Sequence, residues 1–307
     1  MKTMKVMKRL VLVLVLIISA SSLFAQTEYK SGSLLWKVSG NGLDKSSYIL
    51  GTFHAKTGDY LDKIPGAKAA LDAAEQVAGE IVLADMMAIA TQMQQKMMMT
   101  SDTTYKMLYN EADYKIIDDA IKSIFGTGLE QLGVLTPAGL QMSLLQVLMM
   151  KNYPTIMTTP VLDAYIQQVA VEKQKPVIGL ETAEHQIYVL FESSSLQHQA
   201  DALLCGIKTA EGENLEAGML TELKKLEALY DSADFNEIIK LTKENPCANT
   251  NSDNLLNKAR NDAWMLKLPE LMRKSTFIAV GALHLVGEEG LLNQLEKAGY
   301  TVEAVKN

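Results

Sequence analysis

FIAVGALHL, residues 277–285, and YILGTFHAK, residues 48–56, decide how this chain is read. Each is an apolar, β-favouring run that reaches a glycine, passes two spacers and arrives at a histidine. Such runs bounded by glycine predict buried strands. Glycine lets a chain leave a strand sharply, because it carries no Cβ. In open α/β sheets ligands gather outside the carboxyl ends of the strands. A histidine two spacers beyond the glycine can turn back over that edge. The chain holds four histidines, and His54 and His284 end these two phrases. One GxxH is a weak signal; two copies on matching strands predict a shared polar site.

Outward from these phrases, SLLWKVSGNG (33–42) and SSYILGT (46–52) predict two strands joined by a tight turn. QVAGEIVLA (76–84), KPVIGLET (175–182) and YTVEAV (300–305) predict three more. Pro65 is expected to open a short helix over PGAKAALDAA (65–74). A helical section runs from about residue 86 to 174, with Met86, Ile89, Ala90, Met93 and Met97 on one face. Thr136–Pro137 caps an apolar helix that reaches Met150, and VLDAYIQQVAVEKQ (161–174) is another. Further helices are expected at 183–204, 213–230, 233–243, 253–267 and 288–299. The predicted class is α/β (α+β): a central mixed sheet with helical layers and two related strand–GxxH–helix units.

Residues 1–25 predict a signal peptide. Lys2, Lys5, Lys8 and Arg9 form a basic start, Leu10 to Ala20 an apolar core, and Ala25–Gln26 a cleavage site. The apolar run is shorter than the ~20 residues of a spanning helix, so no stable membrane insertion is expected after cleavage. The protein is expected to be secreted, to a periplasm. Loss of residues 1–25 removes four cations and no acid, moving the formal charge from −7 to −11. A chain this acidic is a poor partner for nucleic acid or an anionic membrane. Cys205 and Cys247 are the only cysteines, and in an exported protein an even pair predicts a disulfide.

The polar candidates around the histidines are few. Two histidines and a carboxylate form a common ligand set for Zn²⁺, Mn²⁺, Fe²⁺ or Co²⁺. Glu80 lies among apolar neighbours, where a buried carboxylate needs a cation or a proton. Glu181 follows a glycine at the end of KPVIGLET. Arg260–Asn261 precede the last histidine strand, and Arg260 could pair with either glutamate or steady an oxyanion. The structural alternatives are equally concrete: Glu80 as a core residue salt-bridged to Arg260, and Glu181 as a first-turn acid of the next helix. His185 and His198 lie in polar helical surroundings and read as surface residues. The KMMMT run suits Cu(I) in principle, but methionine at helical spacing is more often core packing. The sequence holds no serine elbow, CxxC, phosphate-binding glycine loop or HExxH.

LLWKVSGNG…SSYILGTFHA, VAGEIVLAD, PVIGLETAEHQ, LLNKARNDAWM and FIAVGALHLVGEEGLLNQLEKAGYTVEAV follow one another in the order of the TraB/GumN family. The chain resembles that family, which includes the PrgY pheromone-inhibition proteins and the Tiki metalloproteases, over almost its whole length after residue 25. The resemblance implies a fold like that of the erythromycin-esterase and ChaN-like proteins, and one family domain over 26–307. It implies a metal-dependent hydrolase, a peptidase acting on a peptide or other exported small substrate, with Mn²⁺ or Co²⁺ favoured. By position, His54 and His284 match the motif histidines, Glu80 and Glu181 the two glutamates, and Arg260–Asn261 the RN pair. The implied metal ligands are His54, His284 and Glu181; the implied catalytic residues are Glu80, Glu181, Arg260 and Asn261. Glu80–Ile81–Val82 stands where many members carry Glu-x-Asp. A non-catalytic protein that binds haem, another ligand or a peptide on the same scaffold is the alternative, since one fold hosts many chemistries.

Overall fold

A computed structural model describes residues 30–100, 102–210, 214–247 and 254–306, apart from the side chains of residues 86, 87, 254 and 255. The expected signal peptide lies outside these residues. Six strands form one mixed sheet: β1 (Leu35–Ser39), β2 (Ser47–Thr52), β3 (Gln76–Gly79), β4 (Val177–Gly179), β5 (Thr276–Gly281) and β6 (Thr301–Ala304). Their order across the sheet is β4-β3-β5-β2-β1-β6. The first four in that order are mutually parallel, while β1 runs antiparallel to both β2 and β6. The α/β class read from the sequence is the class observed.

The register explains why the two GxxH phrases matter. Strands β2 and β5 are parallel neighbours, with Gly51 opposite Val280 and Thr52 opposite Gly281. Both chains therefore leave the sheet at the same edge, side by side. Strands β3 and β4 end at the same level, with Gly79 opposite Gly179. At two of these exits a side chain is sterically excluded. A Cβ on Gly79 would stand 2.7 Å from Gln167 Nε2, and one on Gly179 2.7 Å from the Glu181 carbonyl oxygen.

The central strands are buried, as near-continuous apolar runs in a covered parallel sheet should be. Leu35, Ile49, Leu50, Val77, Phe277 and Ile278 are fully enclosed, and Trp264, Leu268, Leu291 and Leu295 pack against them. A second apolar cluster, built on Tyr105, Ile117, Ile121, Leu140, Leu144 and Leu203, holds the helices of the middle section together. Thr136 caps the helix Pro137–Asn152 through Gly139 N, as its sequence predicts.

Three local expectations are corrected. The strand predicted over 76–84 stops at Gly79, so Glu80 lies at the strand's exit instead of inside it. There its Oε1 accepts the Gly281 N–H at 2.8 Å and its carbonyl oxygen accepts the Glu181 N–H at 2.8 Å. The helix expected from Pro65 begins at Ala67, because Gly66 takes φ 72°, which no right-handed helix can contain. The helix expected over 183–204 is two, Ala183–Phe191 and Leu196–Thr209. Ser195 starts the second by capping His198 N.

Cys205 and Cys247 form the expected disulfide, with Cα atoms 5.6 Å apart. It ties the helix Leu196–Thr209 to the segment after the helix Phe235–Glu244. Among the described residues no helix is long and apolar enough to cross a membrane.

Candidate functional site

Four strand exits bring the predicted residues to one edge of the sheet. Glu80 follows β3, Glu181 lies just beyond β4, and His284 closes a 3₁₀ turn (Ala282–His284) that begins directly after β5. The helix Ala259–Met265 contributes Arg260 and Asn261. These five residues form one network whose centre is a guanidinium.

Arg260 places each of its five N–H groups within the protein. Its Nε faces both Glu181 oxygens at 3.0 Å. Its Nη2 donates to Glu80 Oε2 at 2.6 Å and to Glu181 Oε1. Its Nη1 donates to the Leu256 carbonyl at 3.0 Å and to His284 Nε2 at 2.9 Å. The side chain is 8% exposed and packs against the Trp264 ring. Of the two roles open to Arg260 in the sequence, pairing with the glutamates is the one observed. It has no N–H left for an oxyanion.

His284 is equally enclosed. A guanidinium can only donate, so Nε2 must carry a lone pair, and the ring proton resides on Nδ1. That proton is donated to Asn261 Oδ1 at 2.8 Å. Asn261 is oriented in turn by the carbonyls of His284 and Glu289, which accept from its Nδ2 at 3.1 and 2.9 Å. Burial lowers the His284 pKa to about 4, and the Arg260 charge adds to the shift. The ring is therefore neutral near pH 7. Burial opposes the charge on Glu80, but the Arg260 charge and the Gly281 amide hold the carboxyl below its ordinary range.

His54 has a different setting. The chain beyond Thr52 runs as a loop, and the imidazole is 74% exposed. Its Nδ1 lies 3.1 Å from Asp163 Oδ2, and Asp163 Oδ1 accepts the Thr52 hydroxyl at 2.6 Å. The hydrogen bond to Asp163 raises the His54 pKa to about 9, an effect that water around so exposed a ring weakens. Behind the loop, buried Lys56 binds Glu227 and Asp231 at 2.7 Å each and anchors it to the helix Leu215–Asp231. Tyr230 adds a hydrogen bond to the Gly51 carbonyl at 2.9 Å.

A pocket of about 190 Å³ opens beside His54 and is lined also by Glu80, Asp163, Gln167 and Gln186 over an apolar floor. Gln186 donates to Glu80 Oε2 at 3.1 Å. Gln167 holds the segment after Glu80 by donating to the Ile81 carbonyl and accepting from Leu83 N. Asp163, Thr52, Gln167 and Gln186 were missed by the sequence reading. Asp163 lies in the first turn of the helix Leu162–Glu172, where an acid is ordinary, so its pattern gave no separate signal. His185 and His198 are exposed, as read, although His185 Nε2 stands 3.9 Å from Glu181.

The predicted ligands are thus divided. His284 and Glu181 direct their acceptors at Arg260, whereas His54 lines the pocket, bound to Asp163 through Nδ1. No group of three His, Cys, Asp or Glu side chains among the described residues is arranged to hold a metal ion. The donors that line the pocket are His54 and Glu80, and Glu80 would have to turn an oxygen away from Gly281, Arg260 or Gln186 to reach an ion there. Asp163 behind His54 supplies the outer carboxylate that ligating histidines usually have.

A six-stranded α/β sheet with a polar cleft over its parallel strand ends defines the class of protein. The chain belongs to the TraB/PrgY/gumN family, whose family model matches residues 34–304. No curated protein and no solved structure matches it.

Proposed function

We propose that the protein is an exported metal-dependent hydrolase, a peptidase, with its reaction centre at the pocket between His54 and Glu80. The observation that carries the reading is the Asp163–His54 pair beside the pocket that Glu80 also lines: Asp163 holds a proton on Nδ1, and a bound ion would displace the second ring proton from Nε2. Export is supported by the disulfide.

His54 and Glu80 would hold the ion, with Mn²⁺ or Co²⁺ favoured and Zn²⁺ or Fe²⁺ admissible. His284 and Glu181, the other implied ligands, would join only by exchanging Arg260. When bound, such an ion lowers the pKa of water and polarises a carbonyl. The remaining work belongs to the chain. Asp163 and Thr52 orient His54. Arg260 and the Gly281 amide keep Glu80 ionised, the state in which a carboxylate binds a cation. Glu181, Asn261 and His284 fix Arg260 in place. The pocket volume of about 190 Å³ lies below the ~300 Å³ at which ordinary ligand pockets begin, which disfavours the haem-binding alternative. None of the methionines lines it.

The test is elemental analysis after loading with Mn²⁺, Co²⁺ or Zn²⁺, comparing the wild type with His54→Ala. His54 is exposed, so this variant leaves the core intact. Near-stoichiometric metal in the wild type and loss in the variant support the reading. Equal metal in both, or none in either, overturns it.

A further inference from the structure

The pocket beside His54 has a chemistry of its own. Beside its polar groups, its lining includes Val77 and Ala78 of β3, Ala279 of β5, and Val161 and Ala164 at the start of the helix Leu162–Glu172. Every charged group at the rim is already matched: Glu80 by Arg260, and Asp163 by His54 and Thr52. The Gln167 amide is occupied on both sides by backbone. A lysine side chain entering the pocket would lose its water and find both acids already paired, which is costly. A hydrocarbon side chain would lose nothing of the kind and would gain by burial.

Size narrows the choice. At about 190 Å³ the space is close to the ~150 Å³ engineered cavity that admits a single benzene ring. Three small side chains, Ala78, Ala164 and Ala279, make that room. Of these, Ala164 is the nearest in sequence to Asp163 and is only half-buried, so it borders the pocket without supporting the core.

From this we infer that the pocket is a specificity site for one uncharged aliphatic side chain, of valine to leucine size, flanking the bond to be cleaved. The inference rests on the hydrolase reading and assigns its substrate class: peptides with a medium aliphatic residue beside the scissile bond, and Ala164 as the residue that sets the size limit. A methylene in such a pocket discriminates by roughly 10–200-fold, so leucine should exceed alanine at this position by at least about tenfold in kcat/KM. Lysine should be used less than alanine.

Two measurements, the first on the Mn²⁺-loaded protein and the second on the diamagnetic Zn²⁺-loaded protein, separate this inference from the hydrolase reading. The first is cleavage of a mixed peptide library, read by mass spectrometry, for the wild type, Ala164→Leu and Ala164→Phe. The milder Ala164→Leu keeps the comparison alive if the phenylalanine fails to fold. The expected result is a leucine-to-alanine ratio that falls at least about tenfold in the variants. The second is a titration of ¹³C-methyl-labelled alanines with N-acetyl-leucine methylamide and its lysine counterpart. Saturable shifts at Ala164 and Ala279 with the leucine compound alone are expected. Cleavage with no flanking preference, or an unchanged ratio in a folded variant, overturns the pocket assignment and leaves the hydrolase standing. Leucine-specific shifts without any cleavage uphold the pocket and count against the hydrolase. Neither cleavage nor shifts would remove both.

Discussion

Arg260 donates to His284 Nε2 at 2.9 Å, and this one contact separates the two GxxH histidines. It fixes the tautomer of His284, occupies its only lone pair and seals it beneath Trp264, whose ring centroid lies 4.4 Å away. His54, on the neighbouring strand, is held at Nδ1 by a carboxylate and remains in solvent. Two phrases that look equivalent in sequence thus end as a structural histidine and a pocket-facing one.

Removing the central cation should be severe. Arg260→Met leaves Glu80 and Glu181 enclosed without their partner, and breaking a buried pair in this way costs about 3–5 kcal/mol. Arg260→Lys should recover only part of it, because an ammonium cannot supply the fork that spans Glu80, Glu181 and His284. Urea denaturation of both variants checks this, with a loss in the lysine variant as large as in Arg260→Met as the contrary outcome.

Acid should destabilise the protein in a defined window. His284 titrates near 6.5 when unfolded and about 4 when folded. Between those values the unfolded chain binds a proton that the folded protein refuses, so stability falls as pH drops through the window. Glu80, held below its ordinary 4.5, extends the loss at still lower pH. His54 has the opposite sign: its contribution is complete below 6.5 and is lost as pH rises through about 9. Denaturation midpoints measured from pH 4 to 9 should fall at both ends, more shallowly on the alkaline side because His54 is exposed. His54→Gln should flatten the alkaline fall and leave the acid one.

Asp163→Asn tests the residue that sequence reading missed. Asparagine can retain a hydrogen bond to Nδ1 but not the charge, so the His54 pKa should move down towards 6.5. Divalent metal affinity should drop about 10–100-fold, the usual cost of losing an outer-shell carboxylate. An NMR titration of His54 and calorimetry with Mn²⁺ read the two effects separately. An unmoved pKa with unchanged affinity would show that Asp163 is only a first-turn acid of its helix.

Reduction of Cys205–Cys247, which are separated by 42 positions, should lower stability by about 4 kcal/mol through the entropy of the freed loop. Denaturation with and without reductant measures it. Because the bridge joins the helix Leu196–Thr209 to the segment after Glu244 and neither cysteine touches the pocket, His54 and Glu80 should keep their NMR signals in the reduced, still folded protein.

The sequence by itself determined the α/β class, the two strands that run to glycine exits and the pairing of the cysteines, and it put forward the five residues that meet in the Arg260 network. It could do so because these depend on local pattern: apolar runs with glycine exits, caps, and the scarcity of histidine and cysteine. It did not determine which polar groups bond one another. Asp163 reaches His54 across 109 positions, and Arg260 reaches Glu80 across 180; no local pattern records such distances. The tertiary structure alone decided that β2 and β5 lie side by side, that a 3₁₀ turn buries His284 while a loop exposes His54, and that one guanidinium takes both glutamates. Charge pairing in a dry interior is settled by which atoms the packed sheet brings within hydrogen-bonding reach, and only the folded chain sets that.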